Sequence, residues 1–172
     1  ISIDYKQREI NKTYQYDMVS LGFNYRIPDI LCALGISQLT KVDTFMKKRR
    51  KITQIYNEAF SPLLKYFKPL NQKYDSACHI YIIKLQLQNL SVDRCQIFKA
   101  LQAEGLEVNV KYKPIHLQSF YQKQINKTSC VLPVAEKIYK QIINLPLFPS
   151  MTTQDIKDVI DIVKKVITYY SI

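Results

Sequence analysis

The chain has 172 residues, of which 47% are hydrophobic, and its 25 lysine and arginine residues against 14 acidic ones give a formal net charge of +11. The length and composition are typical of one globular domain that is large enough to bury a core. No apolar run approaches the ~20 residues that span a bilayer, so we predict no membrane anchor. The charge permits binding to a polyanion or to an anionic small substrate.

Four cysteines stand at Cys32, Cys78, Cys95 and Cys130, and no two of them have C-x-x-C spacing. With only two histidines as further soft ligands, the sequence predicts no metal site. We expect reduced, partly buried thiols and a cytoplasmic protein.

The first part of the chain predicts an arm followed by helices. Residues 1–20 are polar without a clean period and predict an N-terminal arm or loop, with one domain over residues 21–172. Pro28 is expected at the first position of a helix that reaches Leu39. Gly35 within this helix indicates close approach of another backbone.

A second helix is expected to reach about Phe60, after a break near Val42-Asp43, and Ser61-Pro62 ends it. Residues 61–76 predict a loop. Residues 78–87 are rich in β-branched and aromatic side chains and predict a strand.

The middle of the chain predicts a helix between two strands. Ser91 is expected to cap the helix, and Gly105 is expected to end it in a left-handed conformation. Leu106 to Tyr112 alternates cleanly and predicts the second strand.

The last part predicts further helices and one short extended segment. Residues 117–123 and 131–143 have helical patterns, whereas the proline-bracketed residues 144–149 are expected to supply a short strand. Thr152-x-x-Asp155 resembles a capping box ahead of the final helix. The sum predicts an α+β domain with helices packed on a small, mainly antiparallel sheet.

A basic cluster spans Lys47–Lys51 inside the second helical pattern. Such charge runs on helices are typical of a solvated face. The alternative is a basic interaction module that binds nucleic acid or a protein partner. Nucleic-acid binding is disfavoured because aromatic residues are not interleaved with the charges.

One run, LGFNYRIPDILCALGISQL over residues 21–39, is the most informative part of the sequence. Asn24 and Arg26 follow Gly22 on a predicted loop, just ahead of the helix that Pro28 introduces. Oriented N–H groups and the dipole at a helix N-terminus favour an anion, most commonly a phosphate.

The run resembles the signature of the DegT/StrS family of sugar-nucleotide aminotransferases, which depend on pyridoxal 5'-phosphate (PLP). The resemblance implies the small C-terminal domain of a fold-type I PLP transferase, in a homodimer. It also implies that Asn24 reaches the cofactor phosphate of the partner subunit. Arg26 is expected to contact that phosphate or the substrate, or to tie the loop to the domain.

A second stretch, NVKYKPIH over residues 109–116, resembles the family's His-Tyr-x-Pro-Ile-His segment. In the subgroup that acts in pseudaminic acid biosynthesis, this segment helps to hold the nucleotide sugar. The resemblance therefore implies substrate-binding roles for residues at the following positions: Asn109, Val110, Lys111, Tyr112 and His116. The alternatives are an outward-facing edge strand for Lys111 and a turn anchor for His116. We interpret His79 as structural.

No stretch resembles the family's Ser-x-x-x-Lys segment, whose lysine forms the Schiff base with the cofactor. We therefore expect the C-terminal portion of an aminotransferase, with no catalytic residue of its own and no activity alone. The reaction implied for the complete enzyme converts a 4-keto sugar on UDP to a 4-amino sugar, with glutamate as the amino donor.

Overall fold

The computed structural model describes residues 23, 25–70, 76–124 and 132–172. It divides into a first unit that ends at Thr40 and a second unit that runs from Lys41 to Ile172. The predicted boundary between residues 20 and 21 lies outside the described residues.

The described part of the first unit is built around helix α1, Asp29–Leu39. Pro28 is the N-cap and not the first helical residue, because its backbone is extended while its carbonyl already accepts the N–H groups of Leu31 and Cys32. No described atom lies within 4 Å of a Cβ built on Gly35, so the close backbone approach expected there is not seen.

The larger apolar side chains that the structure describes in this unit are all solvent-exposed: Phe23, Tyr25, Ile27, Ile30, Leu31, Leu34, Ile36 and Leu39. Those within α1 are not confined to one face, and no residue of the helix is buried. A helix that is hydrophobic all round is normally covered by other protein.

Three longer helices contribute buried residues to the second unit's core: α2, Val42–Phe60; α3, Arg94–Ala103; and α6, Thr153–Tyr169. Helix α2 begins after a turn at Thr40-Lys41, slightly earlier than the predicted break. Both α2 and α3 pack against α6. Their buried faces follow helical spacing, as in Ile52, Tyr56 and Phe60 of α2.

The prediction of Ser91 as the cap of α3 was wrong. Asp93 is the cap: its carboxylate accepts the N–H of Gln96, whose side chain accepts the N–H of Asp93. The Ser91 hydroxyl instead donates to the Tyr170 carbonyl. Gly105 follows the helix with φ +86°, which confirms the left-handed stop.

Among the described residues, three strands form an antiparallel sheet in the order β1-β2-β3: β1, Phe67–Pro69; β2, Tyr81–Leu85; and β3, Ile142–Leu145. Strand β1 lies inside the segment predicted as a loop, so that prediction was wrong there. Along β2, Tyr81, Ile83 and Leu85 are buried and alternate with half-buried residues, as expected for a strand with one face on the core.

The predicted strand over 106–112 is not formed. Leu106 and Val108 are buried in the core, but only Asn109 makes a strand-like bridge, to Asn144. Beyond Asn109, the backbone N–H of Val110 donates to Asn109 Oδ1 and that of Lys111 donates to Asn144 Oδ1. These N–H groups are therefore not paired with the backbone of a neighbouring strand.

Two short helices precede β3: α4, Ser119–Gln124, and α5, Pro133–Tyr139. The helix predicted over 131–143 therefore ends early, and Ile142 and Ile143 belong to β3 instead. All four residues of β3 are buried, and the strand overlaps the one predicted over residues 144–149 only at Asn144 and Leu145. These helices and this sheet confirm the α+β fold class.

Candidate functional site

The segment that contains Asn109 and Lys111 is held along the outer edge of β3. The Asn109 N–H donates to the Asn144 carbonyl at 3.2 Å, and the Asn144 N–H donates to the Asn109 carbonyl at 2.7 Å. On its other side, Asn144 pairs with Ile82 of β2. The sheet thus fixes the start of the segment that the sequence predicted to bind substrate.

The side chain of Asn144 continues this attachment. Its Oδ1 accepts the Lys111 backbone N–H at 3.3 Å, while its Nδ2 is buried and has no hydrogen-bond partner in the described structure. Asn144 is only 5% exposed. An unsatisfied buried donor is costly. An oxygen atom of a water or ligand that accepts a hydrogen bond from Nδ2 would therefore be favourable here.

Asn144 lines a cavity of about 750 Å³, which we call the Asn144 cavity. Its wall includes Asn109, Lys111 and His79, of which Lys111 is half-buried and His79 is exposed. The volume lies within the range typical of small-molecule sites. Apolar residues form much of the remaining lining: Ile80, Leu106, Leu145, Pro146, Leu147, Phe148, Met151, Val159 and Ile162.

Five carboxylates also line the Asn144 cavity: Glu104, Glu107, Asp155, Asp158 and Asp161. Three of them accept short hydrogen bonds, and Asp158 does so from Gln154 Nε2 at 2.7 Å. Glu104 accepts Lys165 Nζ at 2.6 Å, and Asp155 accepts the Thr152 N–H at 2.7 Å in the capping box of α6. The hydrogen bonds from Thr152 lower the pKa of Asp155. Among the described lining residues, Lys111 is the only lysine or arginine.

His116 lies outside this lining and is tied to α5. Its Nε2 lies 3.0 Å from Glu136 Oε1, and its side chain is only 8% exposed. Glu136 also accepts the Leu132 N–H, and the hydrogen bond to His116, followed by that from Leu132, lowers the pKa of the Glu136 carboxyl. The structure therefore gives His116 an anchoring contact, and its substrate role stays a prediction.

The remaining residues predicted to bind substrate or cofactor are not among the described residues that line the Asn144 cavity. Val110 is half-buried and Tyr112 is 76% exposed, and neither lines the Asn144 cavity. Arg26 is exposed in the first unit, two residues before the Pro28 cap. Asn24 lies outside the described residues.

Asn144 itself was missed as a site residue. The sequence signal was a single amide inside the apolar run Ile-Ile-Asn-Leu. A buried amide in a strand requires partners, but only the fold shows that those partners belong to the Asn109–Lys111 segment.

Three comparisons with known proteins define the class. The chain belongs to the DegT/DnrJ/EryC1/StrS aminotransferase family, whose model matches residues 4–164. It is 35% identical over 152 residues to the UDP-4-amino-4,6-dideoxy-N-acetyl-beta-L-altrosamine transaminase of Campylobacter jejuni, a match that covers 87% of this chain and 39% of the relative.

The fold agrees with solved structures of this class. Helicobacter pylori PseC, an aminotransferase involved in the biosynthesis of pseudoaminic acid, superposes with a TM-score of 0.82 at 27% identity, over 99% of this chain and 43% of PseC. The putative sugar aminotransferase Spr1654 from Streptococcus pneumoniae, in its PLP form, gives 0.79 at 25% identity, over 96% and 43%. The chain spans about two fifths of the length of the curated relatives it matches.

No described helix is both long and apolar enough to cross a membrane. The described cysteines, Cys32, Cys78 and Cys95, are free thiols. In the part of the chain that the structure describes, no three histidine, cysteine or acidic side chains are grouped to hold a metal ion.

Proposed function

We propose that the chain is the C-terminal portion of a PLP-dependent nucleotide-sugar aminotransferase, which converts a 4-keto sugar on UDP to the 4-amino sugar with glutamate as donor. The observation that carries the proposal is the attachment of Asn109 and Lys111 to Asn144 at the wall of the Asn144 cavity. The named relatives support the sugar substrate.

Lys111 is the residue best suited to the diphosphate of such a substrate. It is the only lysine or arginine among the described lining residues, and an ammonium group forms charge-assisted hydrogen bonds with phosphate oxygens. The carboxylates of α6 repel a diphosphate, so we place it at the Lys111 end. The exposed ring and hydroxyl of Tyr112 are then available to the sugar or uracil.

The proposed cofactor contacts come from the first unit, which ends at Thr40. Arg26 is exposed just ahead of α1, and the Pro28 cap offers no side-chain acceptor to the first-turn N–H groups of α1. This arrangement fits a phosphate. We propose that Arg26 and Asn24 hold the PLP phosphate of the partner subunit in a homodimer. PLP itself supplies the electron sink for amino transfer.

The test is a hybrid enzyme in which this chain replaces the matching C-terminal region of the Campylobacter jejuni transaminase. We expect a folded dimer that contains PLP and transfers an amino group to a UDP-linked 4-keto sugar. A folded, PLP-containing hybrid that is inactive on this substrate would contradict the proposed function. Size-exclusion chromatography and cofactor absorbance separate that outcome from misfolding.

A further inference from the structure

A second concave surface lies on the second unit between α2 and α6, with a volume of about 590 Å³. We call it the lysine groove. It is lined by Lys48, Lys51, Ile52, Ile55, Pro149, Ser150, Met151, Thr153, Ile156, Lys157 and Ile160. It shares only Met151 with the Asn144 cavity, and it contains part of the basic cluster that the sequence predicted as a solvated face.

The floor of the lysine groove is aliphatic. Ile55 of α2 and Ile156 and Ile160 of α6 are each half-buried. Their helical spacing places them along the groove, where they leave part of their apolar surface in water. Covering this surface with apolar side chains of a partner is favourable.

The rim of the groove is cationic. Lys48 and Lys51 lie one helical turn apart on α2, and Lys157 faces them from α6. None of the three forms an ion pair among the described residues, and the described lining contains no carboxylate. The N-terminus of α6, at Thr153, adds its positive dipole end.

We propose that the lysine groove docks an acidic, aliphatic peptide segment of a partner protein. Apolar side chains of the peptide cover the isoleucine floor while its carboxylates pair with the lysines, as in helix-in-groove recognition. The described lining has no aromatic or arginine side chain on which bases would stack, which disfavours nucleic acid. A second copy docked through the same groove is disfavoured because the lysines of one copy would face those of the other.

The probe is a fluorescein-labelled helical peptide of about four turns, with leucine at i, i+3, i+4 and i+7 and glutamate at the flanking positions. Anisotropy measures its binding to the full chain, and a scrambled peptide of the same composition is the control. The variant Lys48→Glu/Lys51→Glu is compared with Lys47→Glu/Lys164→Glu, which changes the charge equally outside the groove lining.

We expect the groove variant to weaken binding by roughly tenfold or more, because its new glutamates repel the glutamates of the peptide. The control variant should bind the peptide within about twofold of the wild-type affinity. Amide shifts in NMR spectra should map to α2 and the start of α6. Absent binding, equal loss in both variants, equal binding of the scrambled peptide, or displacement by a DNA oligonucleotide would each overturn the proposal. Circular dichroism verifies that each variant is folded.

Discussion

The backbone N–H of Lys111 donates to Oδ1 of Asn144 at 3.3 Å, so a buried strand residue positions the one lysine that lines the described Asn144 cavity. The same strand residue exchanges two backbone hydrogen bonds with Asn109. The geometry of the segment therefore depends on an amide that is distant in sequence.

Asn144→Ala should destabilise the chain by about 1–3 kcal/mol, because it leaves the Lys111 N–H without its acceptor. Hydrogen exchange should accelerate at the Lys111 amide more than elsewhere, and urea unfolding gives the free energy. Asn109→Ala is the matched control, since its side chain is exposed and accepts only the adjacent Val110 N–H. Equal protection of Lys111 in both variants would contradict this positioning role.

Thr152→Ala should lower the free energy of unfolding by about 0.5–2 kcal/mol, because Thr152 Oγ1 accepts the Asp155 N–H at the start of α6. Thr153→Ala, one residue later, is the control. Since the pKa of Asp155 is lowered from 3.8, its contribution is present above that pH and is lost as the pH falls below it. Urea unfolding between neutral and acidic pH checks both points.

Glu136→Gln should alter stability in a pH-dependent manner. The hydrogen bond from His116 lowers the pKa of Glu136 from 4.5, so the carboxylate stabilises the fold at neutral pH and loses this effect as the pH falls below 4.5. The difference in unfolding free energy between wild type and variant should therefore shrink in acid. Glu58→Gln, on α2, is the control, and a difference that is constant with pH would argue against the pairing.

Some local signals in the sequence predicted local structure correctly, although the helix starts expected at Ser91 and Pro28 were not as predicted. The Thr152 and Asp155 capping box was confirmed because both residues act within one helical turn. The left-handed Gly105 was confirmed for the same reason. These features depend on neighbours a few residues away.

Features that depend on distant partners were less predictable. Leu106 to Tyr112 alternates like a strand, yet Asn109 and Asn144 side chains take the N–H groups that a strand would pair. Ile142 and Ile143 continue a helical pattern in sequence but pair with β2. The role of Asn144 was invisible until the fold placed Asn109 beside it.

Asn24 should act across the subunit interface in the hybrid enzyme. A mixed dimer of an Asn24→Ala subunit with a subunit that lacks the cofactor lysine should keep one intact active site. Both changes then affect the same active site, that of the subunit without the lysine. We expect roughly half of the parent activity per dimer, whereas each homodimer should be strongly impaired. Mixed dimers as inactive as both homodimers would place Asn24 in its own subunit.

The most direct test of the account is the KM of the hybrid enzyme for the UDP-linked 4-keto sugar in Lys111→Ala and Lys113→Ala. Removing a charge-assisted phosphate contact costs about 1.5–3 kcal/mol, so Lys111→Ala should raise KM by roughly tenfold or more. Lys113 is exposed and outside the cavity lining, so Lys113→Ala should leave KM within about twofold. Equal KM values in the two variants would contradict the proposed substrate site.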